Sequence, residues 1–68
     1  MATNRSGPPW RVIVADGLPL LRDALAQQLE SRLELLVVAT AATGQEALRL
    51  VAEHGPDLLV LDVHLPDV

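Results

Sequence analysis

The chain contains no cysteine, no lysine, no tyrosine and no phenylalanine, and its single aromatic residue is Trp10. Without cysteine there is neither a disulfide scaffold nor a thiolate metal site. Five scattered arginines stand against nine acidic residues, for a net charge of −4. That balance excludes a basic arm that grips nucleic acid. No run reaches the roughly 18 apolar residues of a membrane-spanning helix. The opening MATNRSGPPW lacks the apolar core, about 7–15 residues long, of a secretory signal, and the expected compartment is the cytoplasm.

What is present is aliphatic. Half of the 68 residues are hydrophobic, too many for a disordered tail. A chain near this length buries only about 60% of its unfolded surface and is marginal without staples. The core has to be built from Leu, Val and Ala, so the chain is either a minimal domain or part of a larger one.

Residues 1–10 read as a mobile leader, punctuated by Ser6-Gly7-Pro8-Pro9. Trp10 either covers the lower end of a sheet or rests on the surface. Val12 to Ala15 is a β-branched run without polar alternation, which suits a strand buried on both faces. It ends at the turn signal Asp16-Gly17. A helix is expected from Pro19 to about Arg32, since Pro suits the first helical turn. Leu21, Leu25 and Leu29, with Ala24, give it one apolar stripe.

Glu34 to Thr40 contains a second buried strand. Thr43 followed three residues later by Glu46 spells a capping box. The helix it starts runs to about His54, with Ala47, Leu48, Val51 and Ala52 as its apolar face, and Gly55-Pro56 stops it. Leu58 to Leu61 is a third buried strand, followed by Asp62 and the loop Val63 to Val68. The order β-α-β-α-β implies an α/β sheet with parallel strands and right-handed crossovers, roughly half of a doubly wound domain.

In such sheets ligands bind beyond the carboxyl ends of the strands. Asp16 and Asp62 sit at two such ends. With strand order 2-1-3 they are neighbours, about 4.8 Å apart across the sheet. Like charges that close call for a cation or a shared proton. An all-oxygen pocket suits Mg²⁺, and a carboxylate beside it can attack phosphorus. The competing reading makes each Asp a turn or helix-cap residue. His54, in the last helical turn, complements the helix dipole. His64 is either a metal-ligating imidazole or a solvent-facing loop residue. Zinc has little support, and the glycine fingerprints of nucleotide-binding loops are missing, which leaves little for a Rossmann-type enzyme.

The stretch Val12 to Leu25, VIVADGLPLLRDAL, resembles the opening of a bacterial response-regulator receiver domain. Ala42 to Leu48 resembles the start of that family's second helix, and Pro56 to Asp67 resembles its phosphoacceptor strand and loop. The Asp-x-x-Pro-Leu-x-Arg pattern is similar to receivers that precede a LuxR-type helix-turn-helix output domain. The resemblance implies a flavodoxin-like fold, no enzymatic activity of its own, and a sensor histidine kinase as partner. It implies that Asp62 is the phosphoacceptor, and that Asp16, Asp62 and the backbone carbonyl of His64 hold Mg²⁺, with Pro66 as the loop proline.

Two departures stand out. The second acid of the family's pair is Gly17 here, followed by Leu18. One carboxylate fewer implies weak Mg²⁺ binding and slow or absent phosphorylation. Residues 11–68 also match only the N-terminal half of the family domain, so its switch Ser/Thr at the end of strand four, the Lys at the end of strand five and its signalling face are expected beyond this segment. The alternative is a phosphorylation-independent interaction module that associates through an open sheet edge. Either way, marginal stability or association in isolation is expected.

Overall fold

The computed structural model describes residues 7–68. Three parallel strands form one sheet in the order β2-β1-β3: β1 spans Trp10–Ala15, β2 Leu35–Ala41 and β3 Leu58–Leu61. Helices α1 (Pro19–Glu30) and α2 (Gly44–His54) make the two crossovers. The expected α/β topology with order 2-1-3 is therefore present. No helix among the described residues is long and apolar enough to cross a membrane.

β1 is the spine. Val12, Ile13 and Val14 are 0% exposed and Ala15 1%. Helices pack against the sheet over β1 and β2. On one face Ile13, Ala15, Ala41, Ala47, Leu50 and Leu65 form the core, with Val38, Ala39 and Val51 against it. β1 begins at Trp10, whose N–H donates to the Glu34 carbonyl at 2.6 Å. The leader boundary drawn at residue 10 is thus corrected: Trp10 is strand, and residues 1–6 lie outside the described part. Opposite β1, β2 carries one extra residue, Val38, between the pairs Val12–Val37 and Ile13–Ala39. This is a bulge, which locally increases twist.

Each helix turns part of its expected apolar face inward, Leu25 and Leu29 in α1 and Ala47 and Val51 in α2, and part of it outward. In α1 the half-buried positions are Arg22, Leu25, Ala26 and Leu29, whereas Leu21 and Ala24 are exposed. Arg22 lies on that inward side, and its guanidinium reaches the Asp16 carbonyl at 3.1 Å. In α2 the buried residues are Ala47 and Leu50, and Leu48 is 71% exposed. Leu50 lies three positions after Ala47 and so shares its face.

The third strand departs most. Leu58, Leu59 and Leu61 are 49%, 41% and 43% exposed. β3 pairs only with β1, and the helices cover the other two strands, so its apolar run is half-open rather than buried.

The ends of α2 are closed by side chains. Thr43 Oγ1 accepts from the Glu46 N–H at 3.0 Å, and Glu46 Oε1 reaches back to the Ala42 N–H at 2.7 Å. The reciprocal arm of the capping box thus lands one residue earlier than its usual target. Gly55 closes the other end in the left-handed region, φ 54°, which costs glycine little. Arg11 donates to the carbonyls of His54 and Gly55. Its backbone N–H also donates to Asp57 Oδ2 at 2.8 Å.

Leu65 is 3% exposed and Leu20 85%. Leu65→Ala is expected to lose about 2–4 kcal/mol of stability, and Leu20→Ala less than about 0.5 kcal/mol. Urea denaturation of the two variants checks this; equal losses would contradict the core assignment.

Candidate functional site

The carboxyl ends of β1 and β3 meet because the two strands pair in register, Ala15 opposite Leu61. The next residues are Asp16 and Asp62, so the two predicted site residues follow neighbouring strands. The Asp16 N–H donates to the Ala41 carbonyl at 3.0 Å, and the Asp62 N–H to the Ala15 carbonyl at 2.9 Å. Each residue thereby extends the sheet by one step.

Their side chains behave alike. Asp16 Oδ1 accepts the N–H of Leu18 at 3.0 Å, and Asp62 Oδ1 accepts the N–H of His64 at 3.0 Å. Each carboxylate closes its own turn, as Asp residues at strand ends do. The turn reading and the site reading are therefore compatible. The second oxygen of each carboxylate has no hydrogen-bond partner among the described residues. Asp16 is 3% exposed, and the Asp62 side chain 29%.

A cleft of about 320 Å³ opens at Asp62, lined by Gly17, Leu18, Asp62, His64 and Pro66, with Asp16 buried beside Gly17. His64 Nδ1 lies 3.4 Å from Asp62 Oδ1, on a side chain that is 88% exposed. It is a solvent-facing loop residue beside the carboxylate. Among the described residues no group of three or more His, Cys, Asp or Glu side chains could hold a metal. The acidic side chains at this end are those of Asp16 and Asp62. Such a hard-oxygen set fits Mg²⁺, which keeps most of its waters, better than a softer ion.

Gly17 is not required by backbone conformation, since positive φ among the glycines is confined to Gly7 and Gly55. Its neighbour is Pro66: a Cβ at position 17 would lie 3.3 Å from Pro66 Cδ and 3.6 Å from the Ala42 carbonyl oxygen. The proline ring of the β3 loop thus rests where a side chain at 17 would begin.

Two polar contributors were not legible in the sequence. Arg22 ties α1 to the Asp16 carbonyl. Asp67 accepts the N–H groups of Gly44 at 2.6 Å and Gln45 at 2.9 Å. These two N–H groups hold the Asp67 carboxyl below its ordinary value. An acidic residue just past Pro66 was visible, but only the tertiary fold brings it to the start of α2.

A family model for the response regulator receiver domain matches residues 12–68. A protein-glutamate methylesterase/protein-glutamine glutaminase of Nitratidesulfovibrio vulgaris is 42% identical over 55 residues, 81% of this chain and 15% of the relative. The transcriptional regulatory protein LnrK of Bacillus subtilis is 39% identical over 56 residues, 82% of this chain and 26% of the relative. The oxygen regulatory protein NreC of Staphylococcus epidermidis shows the same identity and coverage. Among solved structures, a chain of the complex between the P1 domain of CheA3 and CheY6 from R. sphaeroides matches with a TM-score of 0.78 and 34% identity. The match covers 88% of this chain and 47% of that one. The chain thus spans about half or less of each of these proteins.

The depressed Asp67 carboxyl has a definite pH signature. Its contribution to stability is complete above the unfolded value of 3.8 and is lost as pH falls through the lower folded value. Thermal melts of the parent and Asp67→Asn between about pH 5 and about pH 2 are expected to differ most at the upper end and converge at the lower. A gap that stays constant with pH would refute this.

Proposed function

The chain belongs to the response regulator receiver domain family, and on that premise we propose that it acts in phosphorelay signalling with Asp62 as phosphoryl acceptor. The observation that carries this reading is that Asp62 lines an open cleft and follows a strand paired in register with the one that Asp16 follows. An Asp62 carboxylate oxygen bonds to phosphorus while the donor's P–N or P–O bond breaks. The leaving group keeps the electron pair and takes a proton from water, and the product is an aspartyl phosphate.

Asp16, Asp62 and the His64 backbone carbonyl would hold Mg²⁺. Bound there, the ion would neutralise charge on the transferring phosphoryl oxygens. Asp16 is buried and already committed to the Leu18 N–H, so it orients the turn as well as supplying charge. Gly17 leaves the set one carboxylate short. The reading is therefore of a degenerate receiver, with weak Mg²⁺ binding and slow phosphorylation.

We assign the segment a signalling role rather than an enzymatic one, because the match to the methylesterase spans only 15% of that protein. A sensor histidine kinase is the expected donor. The similarity to LnrK and NreC supports a regulator with a LuxR-type output. The net charge of −4 disfavours a direct grip on nucleic acid by this segment. The cytoplasm is the compartment that this assignment implies.

A second reading rests on β3. Its exposed Leu58, Leu59 and Leu61 lie on a strand paired on one side only, which invites association with a second copy. Size-exclusion chromatography over a wide concentration range tests it. Concentration-dependent association that Leu59→Lys abolishes is expected, and a monomer at every concentration would exclude it.

For the main reading, a small-molecule phosphodonor with Mg²⁺ is expected to add one phosphoryl mass to a minor fraction of the chain, and none to Asp62→Asn. Gly17→Asp restores a carboxylate and is expected to tighten Mg²⁺ by at least about tenfold, once Pro66 gives way slightly. Rapid and complete phosphorylation of the parent would overturn the degenerate assignment. Labelling that persists in Asp62→Asn would overturn the acceptor.

A further inference from the structure

The loop that follows β3 is held at three places. Leu65 is buried in the core, Pro66 packs over Gly17, and Asp67 reaches the first turn of α2. The first two contacts are apolar and tolerate sliding. The third is directional.

The N–H groups at the start of a helix have no intrahelical acceptor. In α2, Thr43 Oγ1 serves Glu46, and the Thr43 carbonyl serves Ala47. Gly44 and Gln45 remain, and Asp67 takes one with each carboxylate oxygen, at 2.6 and 2.9 Å, from 23 and 22 residues away. A negative charge at a helix N-terminus is also favoured by the dipole.

Gly44 shows what this contact needs. Its φ is not positive, so backbone freedom does not explain it. A Cβ there would lie 3.1 Å from Asp67 Oδ1 and 2.9 Å from Val68 Cγ2. Glycine at 44 leaves room for the Val68 methyl and, beside it, the Asp67 carboxylate.

Within the loop, the His64 N–H is bonded to Asp62 Oδ1, the Leu65 N–H to the Asp62 carbonyl, and the Val68 N–H to the Leu65 carbonyl. The strap from 62 to 68 is a chain of short links, with its far end fixed at α2. That helix is in turn seated on the sheet through Ala47 and Leu50.

We propose that Asp67 is a positioning residue for the Asp62 loop: clamped to α2 across the gap left open by Gly44, it fixes the Asp62 carboxylate and the His64 peptide opposite Asp16. This rests on Asp62 being the acceptor and Mg²⁺ the ion. A cap with no further role would steady only α2.

The test uses the full 68-residue chain as parent, Asp67→Ala, Asp67→Asn and Gly44→Ala. Amide hydrogen exchange, Mg²⁺ titration followed by the His64 amide resonance, and phosphodonor labelling are read in each. In Asp67→Ala, exchange is expected to accelerate at His64 and Leu65 as well as at Gly44 and Gln45. Half-saturation is expected to require about tenfold more Mg²⁺, with the labelled fraction recovering at saturating Mg²⁺. Asp67→Asn, which keeps one acceptor oxygen, is expected to fall between parent and Ala, and Gly44→Ala to follow the same direction. Faster exchange confined to residues 44 and 45, with the Mg²⁺ requirement unchanged, would reduce Asp67 to a cap and overturn the proposal. If the parent takes no phosphoryl group while exchange and Mg²⁺ respond as described, the acceptor reading fails and the positioning of the loop stands.

Discussion

β1 has no polar face. Its central residues, Val12, Ile13 and Val14, are wholly withdrawn from water, so both sides of the sheet must be covered there, and both edges of the strand must be paired. A parallel strand is satisfied only by partners reached through crossovers. The two helices and the order β2-β1-β3 follow from that requirement. So does the site. The central strand ends between two neighbours, and whatever follows it faces whatever follows them. Asp16 and Asp62 are close because β1 is buried, not because either attracts the other.

Strand existence and the helix boundaries at Thr43 and Gly55 were legible in the sequence, because each has a local cause, whereas the strand order came with the family resemblance. β-branched runs prefer a pleated, buried surface, the Thr43–Glu46 spacing closes a helix start, and glycine alone takes the left-handed cap cheaply. Helix faces were less legible. Leu48 and Leu50 are equally apolar, and only the placement of α2 over the sheet selects Leu50. In α1, Leu25 and Leu29 turn inward while Leu21 of the same stripe stays exposed. The openness of β3 could not be read from its own leucines, since burial depends on what covers a strand.

The same division holds at the site. Residue identity pointed to Asp16, Asp62 and the loss marked by Gly17. It did not point to the fit between that glycine and Pro66, nor to the contact between Asp67 and α2, which joins positions 23 apart. A glycine reads as a gap in a motif. In the fold, Gly17 and Gly44 are each closely approached by a neighbour, one by the Pro66 ring and the other by the Val68 methyl and the Asp67 carboxylate.

The ties at Arg11 and Asp57 bear on β3 in another way. An apolar strand with leucines on both sides has no alternation to set its alignment, and a slip of one residue would exchange its two faces at little cost in hydrophobicity. What prevents this is at the ends. Asp57 exchanges two hydrogen bonds with the backbone of Arg11 just before the strand, and Leu65 and Asp67 are held just after it. β3 is indexed by its flanks, like a ruler pinned at both ends, and the distance between the pins decides which residue stands beside Asp16.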